Sequence, residues 1–270
     1  FREVYKEMQA RWVADFGIYL SQIVTFRGQQ PSNRVAQGQF SESGVAAGAG
    51  GPRWNVWGAA AHNTMDYTFQ PLRSSGHGDV AFGGVDYTFA NDVIFGVAAT
   101  LENSRMNTEF NGGRSSGNGS SFAPYVAIPL SSAWVVDGSW GWGRTGIDNH
   151  VGGVTERTTD RKTFGALSVS YGVDFGRWQI QGKGSYLRSE DHFSQTTTAP
   201  SARSRMEQLR VGGQASYDAG GFLPFAALYY IKDIGTTRQA PVAGQNAAND
   251  RDAWQLQLGV NIFSKGPLSG

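Results

Sequence analysis

The C-terminal run Trp254–Ile262 carries Trp254, Leu256, Leu258, Val260 and Ile262 on one parity and Gln255, Gln257, Gly259 and Asn261 on the other. Side chains of a strand point alternately to its two faces, so this run predicts a ribbon with one oily and one wet side. The pattern recurs. Leu209, Val211, Gly213, Ala215 and Tyr217 alternate with Arg210, Gly212, Gln214 and Ser216, and Leu167, Val169, Tyr171, Val173 and Phe175 alternate with Ser168, Ser170, Gly172 and Asp174. From Arg53 onward it predicts ten strands, over 54–61, 80–89, 93–101, 122–130, 133–144, 164–175, 178–186, 208–217, 222–231 and 253–263.

Alternation fits a soluble sandwich as well as a membrane barrel; the connections separate them. After the second, fourth, sixth and eighth strands the expected turn is two or three residues. After the odd-numbered strands, polar stretches such as 62–77, 103–120, 145–161, 190–203 and 235–251 read as long loops. Short turns on one side and long loops on the other are the habit of outer-membrane barrels, and strands of about ten residues match a tilted membrane crossing. Phe89, Trp134, Phe175, Trp178, Tyr217 and Phe222 fall at the short-turn ends, where a membrane-interface girdle of aromatics is expected.

Composition agrees. Of 270 residues, 37 are glycine and 13% aromatic, while only 17% are charged, against about 25% in soluble domains. No apolar run reaches the roughly 18 residues of a membrane helix. A chain that crosses lipid without such a helix must close a barrel, because every backbone polar group in lipid needs an internal partner. With no cysteine, thiolate metal sites and disulfides are excluded. A net charge of +1 gives no electrostatic case for nucleic acid.

The first residues differ. Tyr5, Met8, Trp12, Phe16, Tyr19 and Ile23 recur at steps of three and four, a helical stripe that Gly28 and Pro31 end. Residues 1–30 are therefore expected to be a helix, a candidate pore plug; 31–52, rich in Gly, Ala, Gln and Ser, a linker; and 53–270 the barrel.

Several segments resemble the autotransporter β-domain: Gly83-Gly84-Val85-Asp86-Tyr87 with Phe95-Gly96-Val97-Ala98; Phe122-Ala123-Pro124-Tyr125-Val126 with the Trp134 to Gly143 run; and Leu209 to Tyr217 with Phe222-Leu223-Pro224-Phe225-Ala226. The resemblance implies a twelve-stranded translocator barrel with a helix in its pore, in the outer membrane of a Gram-negative bacterium. Its implied partners are outer-membrane lipid, a passenger domain in cis and the barrel-assembly machinery. Ten readable strands against twelve, and a Ser264 to Gly270 ending that reads as a turn, give the expectation of a chain cut short of one hairpin. The alternative places two strands in 33–52.

The polar parity supplies the candidate lumen-facing residues Asp86, Glu102, Asp137, Asp174, Lys183, Arg210, Gln214 and Lys232. Both signs occur, which fits a wet lumen holding the charged helix and equally a solvated polar face with no specific partner. No cofactor or metal is expected. His150 follows Asp148-Asn149 and His192 follows Glu190-Asp191, but adjacent residues of an extended chain face apart, so neither forms a dyad by sequence. The expected role is translocator and anchor, not an enzyme. The alternatives are a porin-like passive channel and, further off, a surface hydrolase using His150 or His192.

Overall fold

The computed structural model describes residues 45–46, 53–67, 73–109, 111–197, 200–219, 222–236 and 252–262. The helix expected over residues 1–30 lies outside them. The described residues form one antiparallel sheet in which every strand pairs with its sequence neighbours, in the order β1 to β11. The strands are β1 (Val45–Ala46), β2 (Arg53–Tyr67), β3 (Ser74–Thr88), β4 (Ile94–Thr108), β5 (Gly113–Pro129), β6 (Trp134–Val151), β7 (Val154–Phe175), β8 (Trp178–Phe193), β9 (Ala202–Tyr217), β10 (Phe222–Thr236) and β11 (Asp252–Ile262). β1 falls inside the stretch expected to be linker, which corrects that reading at two residues: Val45 and Ala46 pair with Val56 and Asn55.

Three of the polar stretches expected as loops, 62–77, 103–120 and 145–161, are mostly strand, whereas 190–203 is strand only at its two ends. β6 and β7 run for 18 and 22 residues and join at Gly152-Gly153, whose positive φ values of 57° and 83° suit a tight reversal. β4 and β5 extend until Thr108 pairs with Gly113. Both faces carry mostly polar residues there, with Met106 and Ile147 buried singly among them, so the period-two signal is lost from the sequence although the ladder continues. The short turns are where they were expected: the Phe89 N–H donates to the Val93 carbonyl at 2.8 Å, and Phe175 pairs with Trp178 across Gly176.

Contacts that skip strands show the sheet curling. Neighbouring strands lie roughly 4.8 Å apart, so on a flat sheet β4 and β7 would be far out of reach of each other. Yet Lys162 Nζ on β7 is 2.5 Å from Glu102 Oε1 on β4. The Tyr125 hydroxyl on β5 likewise donates to Asp86 Oδ2 on β3 at 2.7 Å. The sheet is a half-barrel, and these side chains converge on its concave face. That face is not uniformly polar: Phe82, Ile94, Ala98, Ala123, Tyr125, Ala127, Val135 and Phe164 form a buried apolar cluster along it.

The two faces of a strand also change along its length. On β4 the outward residues run Phe95, Val97, Ala99, Leu101, then Asn103, Arg105 and Asn107; on β6 they run Trp134, Val136, Gly138, Trp140, Trp142, then Arg144 and Asp148. The lower, short-turn half carries an apolar outer band. The upper half is polar outside, while its inner side mixes polar groups with the buried Met106, Ile147 and Phe193.

Candidate functional site: the concave face and the apolar band

Two clusters occupy the concave face. The lower one lies behind the apolar band. Asp86, Asp137, Lys183, Arg210 and Gln214 are all buried there. Lys183 Nζ stands 4.0 Å from Asp137 Oδ1, and the Arg210 guanidinium lies 3.9 Å above the Tyr229 ring. Asp86 is reached by Tyr125 only because Gly96 lies between them: a Cβ at Gly96 would come within 2.4 Å of the Tyr125 ring and 2.6 Å of Asp86. The local sequence prepares this contact, since Gly96 pairs with both Asp86 and Tyr125 across the ladder.

The upper cluster sits above the band and gathers Glu102, Thr145, Asp160, Lys162 and Asp191 from β4, β6, β7 and β8. Lys162 and the Thr145 hydroxyl both donate to Glu102 Oε1. Gly119 opens the space beneath, where a Cβ would collide with the Glu102 carboxylate. Asp160 and Asp191 complete the cluster, both almost wholly buried. Burial pushes the Asp160 carboxyl up to about 6, opposed by Lys162 and reinforced by Glu102. Burial, then the nearby Asp160, pushes Asp191 up to about 7.

Of the residues singled out by sequence, Asp86, Asp137, Lys183, Arg210 and Gln214 are gathered in the lower cluster and Glu102 in the upper. Asp174 is exposed near the Gly176 turn. Lys232 lies on the outer face with Leu228, both being of the parity opposite to buried Ala227 and Tyr229. β10 is apolar on both faces over much of its length, so its sequence gave no phase. Thr145, Asp160 and Asp191, in stretches expected as loops, and Lys162, just past the end of one, were not singled out, and only the curled ladder brings them together.

On the outer face Phe89, Trp134, Phe175 and Trp178 are exposed. Tyr217 is half-buried with its ring 5.0 Å from that of Trp178, and the Phe222 side chain lies outside the described residues. Trp54, Tyr87 and Tyr171 extend this lower row: Trp54 meets Tyr87 edge-on at 5.2 Å, and Trp134 packs at a tilt against Tyr171 at 4.9 Å. A second row, not anticipated, closes the upper edge of the band with Phe122, Trp142 and the Tyr230–Trp254 pair at 5.2 Å. Two aromatic girdles bounding an apolar band are what the two membrane–water interfaces select.

The histidines are all above the band. His62 Nδ1 lies 2.7 Å from Asp79 Oδ1, with the two side chains 60% and 58% exposed, a cross-strand pair that the sequence could not show. The contact holds the Asp79 carboxyl below its ordinary range. His150 meets the Thr155 hydroxyl rather than Asp148, which pairs with Arg157. Among the described residues no group of His, Asp and Glu is arranged to hold a metal.

An antiparallel sheet curled around buried charge, with an apolar outer band between aromatic rows, defines the class of outer-membrane β-barrel proteins. The autotransporter β-domain model matches residues 56–269. The chain belongs to that family: it is an outer-membrane β-domain of a Gram-negative bacterium that serves secretion of a passenger domain carried in cis. Among solved structures it is similar to the translocator domain of the autotransporter NalP from Neisseria meningitidis, at 12% identity and a TM-score of 0.61, covering 98% of this chain and 87% of that one. It is also similar to the β domain of the Bordetella autotransporter BrkA, at 15% identity and a TM-score of 0.50, covering 81% and 86%. No curated protein matches the chain.

Proposed function

We propose that the concave face is the wall of the passage through which the passenger is carried, and that residues 1–30 are the plug that fills it afterwards. Asp86, Glu102, Asp137, Lys183, Arg210 and Gln214 serve as the polar lining. The observation that carries this reading is the burial of both signs of charge, beside an apolar cluster, on the face that would otherwise enclose only water. A face of that composition suits a charged amphipathic helix better than bulk solvent, because buried charges need partners. Transport of this kind requires a closed hydrogen-bonded wall and a polar passage but no catalytic residue, so the β-domain is not an enzyme. Its hydrogen-bonded wall is delivered to the membrane by the barrel-assembly machinery.

The test is conductance in planar bilayers. Lys183→Glu/Arg210→Glu should raise single-channel conductance severalfold by loosening the plug, and deletion of residues 1–30 should raise it further. Both variants should keep the heat-modifiable gel mobility of a folded barrel. Wild-type conductance in the folded deletion variant would overturn the plug.

A further inference from the structure

We infer that the outer wall just above the apolar band binds the phosphorylated headgroup of the outer-leaflet glycolipid, through a row of basic side chains on β6 to β9. The row is set by register. Arg144 pairs with Arg161, Arg161 with His192, and His192 with Arg203. All four are exposed, and all have the outward parity shared with Trp142, Leu167, Tyr186 and Leu209 on the same strands.

Like charges directly opposite on neighbouring strands destabilise a sheet. The neighbouring cations are neutralised within the wall: Arg157 by Asp148, and Arg188 and Arg205 by Glu207. Arg144, Arg161 and Arg203 have no carboxylate in reach among the described residues. A row of guanidiniums left uncompensated beside compensated ones calls for an external anion. Guanidinium binds phosphate oxygens in bidentate geometry, and the juxtaposed pair Arg144–Arg161 can clamp one phosphate from two sides.

The position identifies the source of that phosphate. Arg144 is the next outward residue after Trp142, at the upper edge of the band. Rows of paired residues run across tilted strands, so this row climbs from the edge of the lipid into the headgroup layer. A ligand seated there has acyl chains on the exposed Trp140, Trp142 and Leu167 and phosphates on the arginines. That is an anionic lipid rather than a free anion, and the outer leaflet supplies one in its phosphorylated glycolipid.

The full chain in detergent would be titrated with lipid A carrying both phosphates, and binding read by native mass spectrometry. Arg144→Gln/Arg161→Gln/Arg203→Gln should weaken binding by about tenfold or more, whereas Arg157→Gln should leave it unchanged. Dephosphorylated lipid A should bind the wild type as weakly as bisphosphorylated lipid A binds the triple variant. Millimolar inorganic phosphate should not displace the lipid. The single variant Arg161→Gln, which removes the shared centre of the row, should give most of the loss and serves if the triple variant does not assemble. Equal binding by the phosphorylated and dephosphorylated lipids, or undiminished binding by folded Arg161→Gln, would overturn the assignment. Displacement by inorganic phosphate would overturn the lipid as its ligand.

Discussion

The lower and upper halves of the same strands solve different problems. In the lower half only the concave face is polar, and the outer face presents Phe95, Val97, Val169 and Val211 to a medium that offers no hydrogen bonds. In the upper half the outer face is polar too: Asn103 bonds Asn118 at 2.6 Å outside, while inside Lys162 holds Glu102 beside the buried Met106, Ile147 and Phe193. The ladder is continuous through both. What differs is the surroundings of the outer face, and that difference teaches that side-chain chemistry here reports the solvent, not the secondary structure.

The comparison breaks most sharply inside the upper half. Lys162→Met removes the cation from three buried carboxyl groups, and breaking a buried pair from one side costs about 3–5 kcal/mol. Urea titration in vesicles should show that loss at neutral pH. Next comes the outer face. Val169→Arg places a charge within the apolar band and should destabilise by about 2–4 kcal/mol, whereas Thr159→Arg on the same strand, above the band, should leave the urea midpoint where it is. Equal effects of the two substitutions would erase the distinction between the halves.

The smallest effect is in pH. Asp160 and Asp191 bind their protons more tightly when folded, at about 6 and 7, than in the unfolded chain, where Asp titrates near ~3.9. The stability they confer is fully present below the unfolded value and is lost as pH rises through 6 to 7. The folded barrel should therefore be more stable at pH 5 than at pH 8. Asp160→Asn/Asp191→Asn should flatten that slope.

How legible the fold was follows the same division. Trp254 to Ile262 and Leu167 to Phe175 announced themselves because lipid outside and polar groups inside impose opposite chemistry on successive residues. Asn103 to Thr108 did not: Asn103, Arg105 and Asn107 face water outside, Ser104 and Thr108 face the interior, and Met106 alone in the segment is apolar, too little for a period-two signal, so strand reads as loop. β10 failed in the other direction, with Leu228 and Tyr229 on opposite faces and both apolar, so Lys232 was assigned to the wrong side. The lower cluster was visible through Asp86, Asp137, Lys183 and Arg210, since each falls on the polar parity of an alternating run. The upper cluster was not, because Glu102 and Lys162 lie 60 residues apart and meet only across the curvature of three intervening ladders.

The strand order has a kinetic corollary. When each strand finds its partner in the one made just before it, assembly proceeds hairpin by hairpin and the entropy of closing long stretches of chain is never incurred. While strands are still being added, the growing edge carries unpaired backbone N–H and C=O groups and must be shielded from the hydrocarbon.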